Sequence, residues 1–112
     1  MEPDYQIKQG DRLPIFEFTC QDSAGVAVDL TNATSALLLV RPQASTGAAV
    51  SYTLAFVTPR TSGKLQYAWA ATETDALVGT YEGEVQITWS SGKLETFPNG
   101  ASVVISIVPD FN

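Results

Sequence analysis

Side chains suited to acid–base or nucleophilic chemistry are scarce in this sequence. Its 112 residues include no histidine and one cysteine, Cys20. Without histidine, neither a Ser-His-Asp nor a Cys-His arrangement can form, and a zinc site of the usual Cys/His kind lacks its ligands. Cys20 follows Phe16 and Phe18 on the apolar side of an alternating segment. That position predicts a buried thiol that acts as a small hydrophobic side chain and not as a nucleophile.

Carboxylates are the remaining candidates for acid–base chemistry. Glu82 and Glu84 lie two positions apart in an alternating segment, so a strand would project both into water from one face. A glycosidase needs two carboxyl groups that face each other across a cleft, one of them in an apolar pocket. Glu73 and Asp75 could contact a calcium ion, but no loop of calcium-binding spacing surrounds them. We therefore predict that the protein is not an enzyme and has no catalytic residue, metal site or cofactor.

Aromatic side chains leave two interpretations open. Several could form a platform on which sugar rings stack, as in carbohydrate-binding sandwich domains: Tyr5, Tyr52, Tyr67, Trp69 and Trp89. However, Tyr67 and Trp69 alternate in phase with Leu65, and Trp89 alternates in phase with Ile87. This phase favours a hydrophobic core, in which truncating a tryptophan to alanine costs roughly 3–5 kcal/mol. A carbohydrate-binding module remains the alternative function.

The two ends of the chain provide candidates for a partner-binding surface. Tyr5, Ile7 and Phe111 lie outside the strongly alternating segments. Exposed aromatic side chains there suit a protein interface, and terminal segments often pair with a neighbouring sheet edge in assemblies. Packing of Tyr5 and Phe111 onto their own domain is the other interpretation. We predict that Tyr5, Ile7 and Phe111 contact a partner protein.

The elements that position these residues are predicted by period-two alternation of apolar and polar residues. In the longest run, Tyr81, Val85 and Trp89 fall on one side while Glu82 and Glu84 fall on the other. Turn-forming residues separate the runs at short intervals, which is typical of a β-sandwich. The stretch 35–41 is apolar on both sides, which indicates a central strand or one covered by a partner. The alternating runs are 16–20, 26–30, 35–41, 50–56, 64–69, 80–89 and 102–107.

The predicted fold is all-β: an immunoglobulin-like β-sandwich of about 7–9 antiparallel strands, formed by one domain that spans residues 1–112. One short helical turn is predicted near 72–77, since Thr72 precedes Asp75 by three positions in a capping-box-like start. Tyr81 opens a long strand after this turn, as the tyrosine of a tyrosine corner does. Its hydroxyl is expected to bond the backbone of the corner, so that Tyr81→Phe loses about 1 kcal/mol.

Charge and hydropathy exclude several classes of partner. The net charge is −6, and the six basic residues are scattered along the chain. We therefore expect no nucleic acid and no membrane among its partners. Because the common catalytic arrangements are missing, we also expect no small-molecule substrate. The first residues lack the basic and apolar regions of a secretory signal, and no apolar run is long enough to span a membrane. Synthesis and folding in a cytoplasm are expected.

Six segments together resemble the amino-terminal immunoglobulin-like domain of phage baseplate upper proteins. They occur in the order seen in that family and spread over nearly the whole chain. Each is a turn next to a strand, and none contains a chemical group that the family uses, so no catalytic or binding residue is carried over. The segments are 8–14 (KQGDRLP), 22–25 (DSAG), 28–31 (VDLT), 63–69 (GKLQYAW), 79–84 (GTYEGE) and 96–98 (TFP).

The resemblance implies a structural role in the virion of a tailed bacteriophage, with synthesis in the cytoplasm of the bacterial host. Domains of this kind lie in tails and baseplates and hold other virion structural proteins by protein–protein contact. Members of that family usually continue into an extension that holds receptor-binding proteins, whereas this sequence ends at Asn112. A copy of the domain alone would be an adaptor of the tail or baseplate, a neck accessory protein or a capsid decoration protein, and could form a homo-oligomer.

Overall fold

The computed structural model describes residues 4–43, 47, 49–70, 73–74, 78–98 and 103–109. Within these ranges the chain forms nine β-strands and one 3₁₀ turn, at Arg60–Ser62. No described segment forms a helix long and apolar enough to cross a membrane. The strands are β1 (Tyr5–Lys8), β2 (Phe16–Thr19), β3 (Ala33–Pro42), β4 (Val50–Thr53), β5 (Ala55–Phe56), β6 (Lys64–Tyr67), β7 (Gly79–Trp89), β8 (Leu94–Phe97) and β9 (Val103–Val108).

The strands form two sheets that pack as an immunoglobulin-like sandwich, as predicted. The large sheet has the order β1-β9-β7-β3-β4, with β8 paired to the second half of β7, and the small sheet has the order β2-β6-β5. In immunoglobulin terms, β2, β6 and β5 take the places of strands B, E and D, while β9, β7, β3 and β4 take those of G, F, C and C′. The chain passes from the large sheet to the small one at Leu54, between β4 and β5.

The core lies between the sheets and follows the predicted alternation. Val85 and Ile87 of β7 are fully buried, and Val85 lies opposite Leu38 of β3, which is buried as well. β3 is the central strand that its two-sided apolar pattern indicated, since it pairs with β7 on one side and β4 on the other. Gly83 allows close packing at this level, because a Cβ there would lie 3.1 Å from Ile105 Cδ1 and 3.3 Å from Leu38 Cδ1.

The structure corrects the predicted elements at four places. The run 50–56 is two strands and not one, because the chain changes sheet at Leu54. The run 26–30 forms no regular strand, although Leu30 is buried; its contact with the preceding strand is a single bridge between Gln21 and Ala27. β1 pairs with β9 in parallel, so the strands are not all antiparallel. β8 is a strand at 94–97, where no run was predicted.

The predicted helical turn at 72–77 lies largely outside the described residues. Glu73 and Thr74 are described, and both belong to a turn in which the Glu73 N–H donates to the Ala70 carbonyl at 3.1 Å. The 3₁₀ turn at Arg60–Ser62 lies elsewhere, between the predicted runs 50–56 and 64–69.

Candidate functional site

The residues predicted to contact a partner are placed mainly against their own domain. Ile7 is 1 % exposed and belongs to the core, so its side chain is not available on the surface. The Tyr5 ring packs edge-on against Phe16 with ring centroids 5.3 Å apart and stacks against Trp69 at 6.4 Å. Phe111 lies outside the described residues. For Tyr5, packing onto its own domain was the other interpretation of the sequence, and it is what these contacts show.

Tyr5 also takes part in a chain of hydrogen bonds that joins three segments. The Trp69 Nε1–H donates to the Tyr5 hydroxyl oxygen at 2.6 Å, and the Tyr5 hydroxyl donates to the Pro14 carbonyl. Burial raises the pKa of Tyr5, and the hydrogen bond from Trp69 opposes that rise. The chain therefore keeps the buried indole N–H of Trp69 paired while holding β1 against the segment before β2.

Three of the other candidate aromatic side chains, Tyr52, Tyr67 and Trp69, form a cluster. Trp89 is half-buried elsewhere, and its indole N–H donates to Glu95 Oε1 at 3.1 Å. Trp69 is 3 % exposed, which confirms that it belongs to the core, and its ring lies 5.1 Å from Tyr67 and 5.5 Å from Tyr52. An apolar pocket of about 230 Å³ adjoins this cluster. Its described lining residues are Val40, Pro42, Val50, Tyr52, Trp69, Tyr81, Ile105 and Ile107.

Tyr81 lies beside this pocket, where the sequence predicted a tyrosine corner. Its ring is half-buried and packs against the core, as predicted. Residues 75–77 of the corner, where a backbone acceptor for its hydroxyl was expected, lie outside the described residues. The hydrogen bond of the Tyr81 hydroxyl therefore stays a prediction.

Glu73 holds a turn together and is not available as a free carboxylate. The Tyr67 hydroxyl donates to both Glu73 oxygens at 2.8 Å, and the Ala70 N–H donates to Glu73 Oε1 at 3.0 Å. Burial, together with the hydrogen bond and negative charge of Glu73, raises the pKa of Tyr67 to about 12. Asp75, its suggested partner in calcium binding, lies outside the described residues.

The remaining candidates for chemistry are one buried thiol and two carboxylates on β7. Cys20 is fully buried and unpaired with another cysteine, and burial raises the pKa of its thiol to about 12, with Glu95 adding to the rise. Glu82 forms an ion pair with Arg41, whose Nε lies 2.8 Å from Glu82 Oε1, and Glu84 is exposed. Within the described ranges, no group of three or more His, Cys, Asp or Glu side chains could hold a metal ion.

Segments that carried the resemblance turn out to hold the fold together. The Gly10 N–H donates to the Thr74 hydroxyl oxygen at 2.8 Å, and that hydroxyl donates to the Asp11 carbonyl at 3.2 Å. Arg12 Nε donates to the Trp69 carbonyl at 3.3 Å. The loop after β1 is thereby fastened to the turn after β6, and Thr74, which is 1 % exposed, keeps its hydroxyl paired.

A groove that the sequence did not reveal runs along the small sheet, between β2 and the nearby parts of the large sheet. It consists of two adjoining clefts, of about 540 Å³ and about 260 Å³, which share Phe18, Thr19 and Pro98. We call it the β2 groove. Its other described lining residues are Asp4, Phe16, Glu17, Gln21, Asp22, Ser23, Glu95, Phe97 and Val103.

The β2 groove follows a strand edge that no described strand covers. β2 pairs with β6 on one side, where the Cys20 N–H donates to the Gly63 carbonyl at 2.8 Å. Backbone groups of neighbouring residues point to opposite sides of a strand. The N–H and C=O groups of Glu17, Thr19 and Gln21 therefore point away from β6, toward the groove. The alternation of 16–20 predicted the strand, but pairing to one side is a property of the tertiary structure.

No protein-family model matches the chain, and no curated protein matches it either.

Proposed function

We propose that the protein is a non-enzymatic structural or adaptor protein of a tailed-phage virion, which docks onto other proteins of the particle. The observation that carries the docking role is the edge of β2 that no described strand covers, together with its groove. An unpaired strand edge is a template for contact with another chain, and proteins that remain monomeric usually cover or blunt such edges. A protein partner therefore suits this surface.

The assignment to a phage particle rests on the sequence resemblance. The six segments that resemble phage baseplate upper proteins include those that fasten the loop after β1 and the turn after β6, through Gly10, Arg12 and Trp69. The resemblance is thus carried by residues that hold this particular sandwich together. A place in the tail or baseplate is the first proposal, and a neck accessory or capsid decoration protein is the alternative.

A carbohydrate-binding module receives less support than a protein-docking domain. Tyr52 and Tyr81 line the apolar pocket and could contact a sugar ring. Trp69 offers almost none of its ring to a ligand, however, because it is 3 % exposed and packs against Tyr52 and Tyr67. A glycan array with tryptophan fluorescence titration separates the two functions, since saturable quenching by a sugar would favour the module and contradict our proposal.

Immunogold labelling of purified phage particles tests the proposed function directly. Particles are collected from cells whose phage encodes the protein and are labelled with antibodies raised against the folded chain. We expect gold at one fixed place on each particle, and that place distinguishes tail, neck and capsid. Antibody absorbed with the pure protein provides the control. Bare particles beside a lysate that stains would contradict the proposal.

A further inference from the structure

We propose that the outer edge of β2 accepts an extended, positively charged segment of a partner protein as an added strand. The inference rests on the proposed function, since it names the kind of segment through which a particle protein would dock. It is carried by three properties of the β2 groove: the direction of its backbone groups, the strand position that is left open and the charge of its lining.

The backbone of β2 presents donors and acceptors in register for another strand. Glu17, Thr19 and Gln21 point their N–H and C=O groups away from β6, as the pairing of Cys20 with Gly63 requires. Beyond β2, Gln21 forms a β-bridge with Ala27, but the two hydrogen bonds of this bridge are made by neighbouring residues: Asp22 donates to Val26, and Val28 donates to Cys20. The bridge therefore does not use the N–H and C=O groups of Gln21. Alternating free groups over five residues suit the pairing mode of an added strand.

The strand position beside β2 is one that immunoglobulin sandwiches commonly fill. In constant-type domains, strand A lies next to strand B in the sheet that also contains strands E and D. Here the first strand, β1, pairs with β9 in the large sheet, with Tyr5 opposite Ile105 and Ile7 opposite Ile107. No described strand takes the place next to β2, so a segment from another chain could fill it without displacing β1.

The charge of the β2 groove indicates which side chains the added strand carries. Four carboxylates line the β2 groove, those of Asp4, Glu17, Asp22 and Glu95, and no Lys or Arg is among its described lining residues. Lysine and arginine side chains complement such a lining, which steers association and fixes register. Phe18 and Pro98, which are both half-buried, provide apolar contact beside these charges. An extended segment with alternating apolar and basic residues therefore fits best.

A heptapeptide of alternating valine and lysine is a suitable probe, because its extended length of about 23 Å exceeds that of β2. Binding to the intact protein is measured by fluorescence polarisation, and amide hydrogen exchange locates the contact. We expect saturable binding and slower exchange at the N–H groups of Glu17, Thr19 and Gln21. A peptide of alternating valine and glutamate is the matched control, and equal binding of that peptide would overturn the charge selection.

Two proline variants test strand addition. Thr19→Pro removes a donor from the open edge of β2 and leaves the bonds to β6 in place, since the Thr19 N–H points away from β6. We expect the valine–lysine peptide to bind at least about tenfold more weakly. Ser51→Pro is the control. The Leu54 N–H donates to Ala36 of β3, and backbone groups alternate in direction along a strand, so the Ser51 N–H of β4 points away from β3, toward an outer edge. Unchanged affinity in Thr19→Pro, with native circular dichroism, would overturn the proposal.

A matched pair of charge variants tests the lining. Glu95→Gln removes one carboxylate from the β2 groove, whereas Glu84→Gln removes one from an exposed site on β7 that is not part of that groove. We expect about two- to fivefold weaker binding for Glu95→Gln and no change for Glu84→Gln. Equal effects would contradict a local charge contact. The outcome is independent of particle labelling: labelled particles without peptide binding would overturn this inference and leave the proposed function standing.

Discussion

At the scale of single residues, the Tyr5 hydroxyl joins two other segments of the chain by hydrogen bonds. It accepts a hydrogen bond from the Trp69 indole and donates one to the Pro14 carbonyl. The sequence indicated an aromatic residue at one end of the chain, but the partners lie 64 and 9 positions away along the chain. Loss of an acceptor beside a buried donor costs more than loss of an exposed contact, because the donor cannot reach water.

We therefore expect Tyr5→Phe to lower the free energy of unfolding by about 1–3 kcal/mol. Tyr52→Phe is the matched control, since Tyr52 belongs to the same aromatic cluster and its hydroxyl makes no hydrogen bond to a described residue. Urea denaturation followed by tryptophan fluorescence measures both variants. Equal losses would show that the hydrogen-bond chain does not carry the effect.

At the scale of elements, Gly63 links the 3₁₀ turn to β6. Its backbone is left-handed, with φ of 69°. A Cβ at Gly63 would lie 2.9 Å from the carbonyl oxygens of both Cys20 and Val28. The Cys20 oxygen accepts a hydrogen bond from the Val28 N–H and cannot move aside easily, so this element requires glycine at 63 for both conformation and space. The turn thus places β6 against the end of β2.

We expect Gly63→Ala to destabilise the fold by about 2–4 kcal/mol, because strain and steric overlap act together. Gly92→Ala isolates the strain, since Gly92 also has a positive φ, of 86°, but a Cβ there would meet no atom within 4 Å. That variant should lose about 1–2 kcal/mol. Thermal unfolding by circular dichroism compares the two, and similar melting temperatures would contradict the proposed contact with Cys20 and Val28.

At the scale of the whole molecule, two acids with raised pKa values, the buried Cys20 and the half-buried Tyr67, couple folding to alkaline pH. Burial raises the pKa of Cys20 from 9.0 to about 12, and burial with the influence of Glu73 raises the pKa of Tyr67 from 10.0 to about 12. The folded protein keeps both groups neutral where the unfolded chain has already released their protons. The stabilisation is fully present below about pH 9 and is lost as pH rises toward about 12.

We expect the unfolding free energy of the wild-type protein to fall steadily between about pH 9 and about pH 12. Cys20→Ala should weaken this dependence from about pH 9 upward, and Tyr67→Phe should weaken it from about pH 10 upward, since each removes one titrating group. Urea midpoints measured across this range provide the comparison. A pH dependence that is identical in all three proteins would exclude both groups as its source.

The sequence by itself determined the fold class and the side of each main strand that is buried. Alternation in 80–89 placed Val85 and Ile87 inside, and both are fully buried. Such patterns are local, because successive side chains of a strand point to opposite faces. The same alternation, together with the missing histidine, supported the prediction of a buried, inert thiol at Cys20, which is fully buried.

Only the tertiary structure decided which strand edges are left open and which distant residues meet. The parallel pairing of β1 with β9, the change of sheet at Leu54 and the uncovered edge of β2 all depend on contacts between segments far apart in the chain. Period-two alternation is the same for a strand paired on one side or on both. The β2 groove, on which the proposed docking rests, therefore could not be read from the pattern of 16–20 alone.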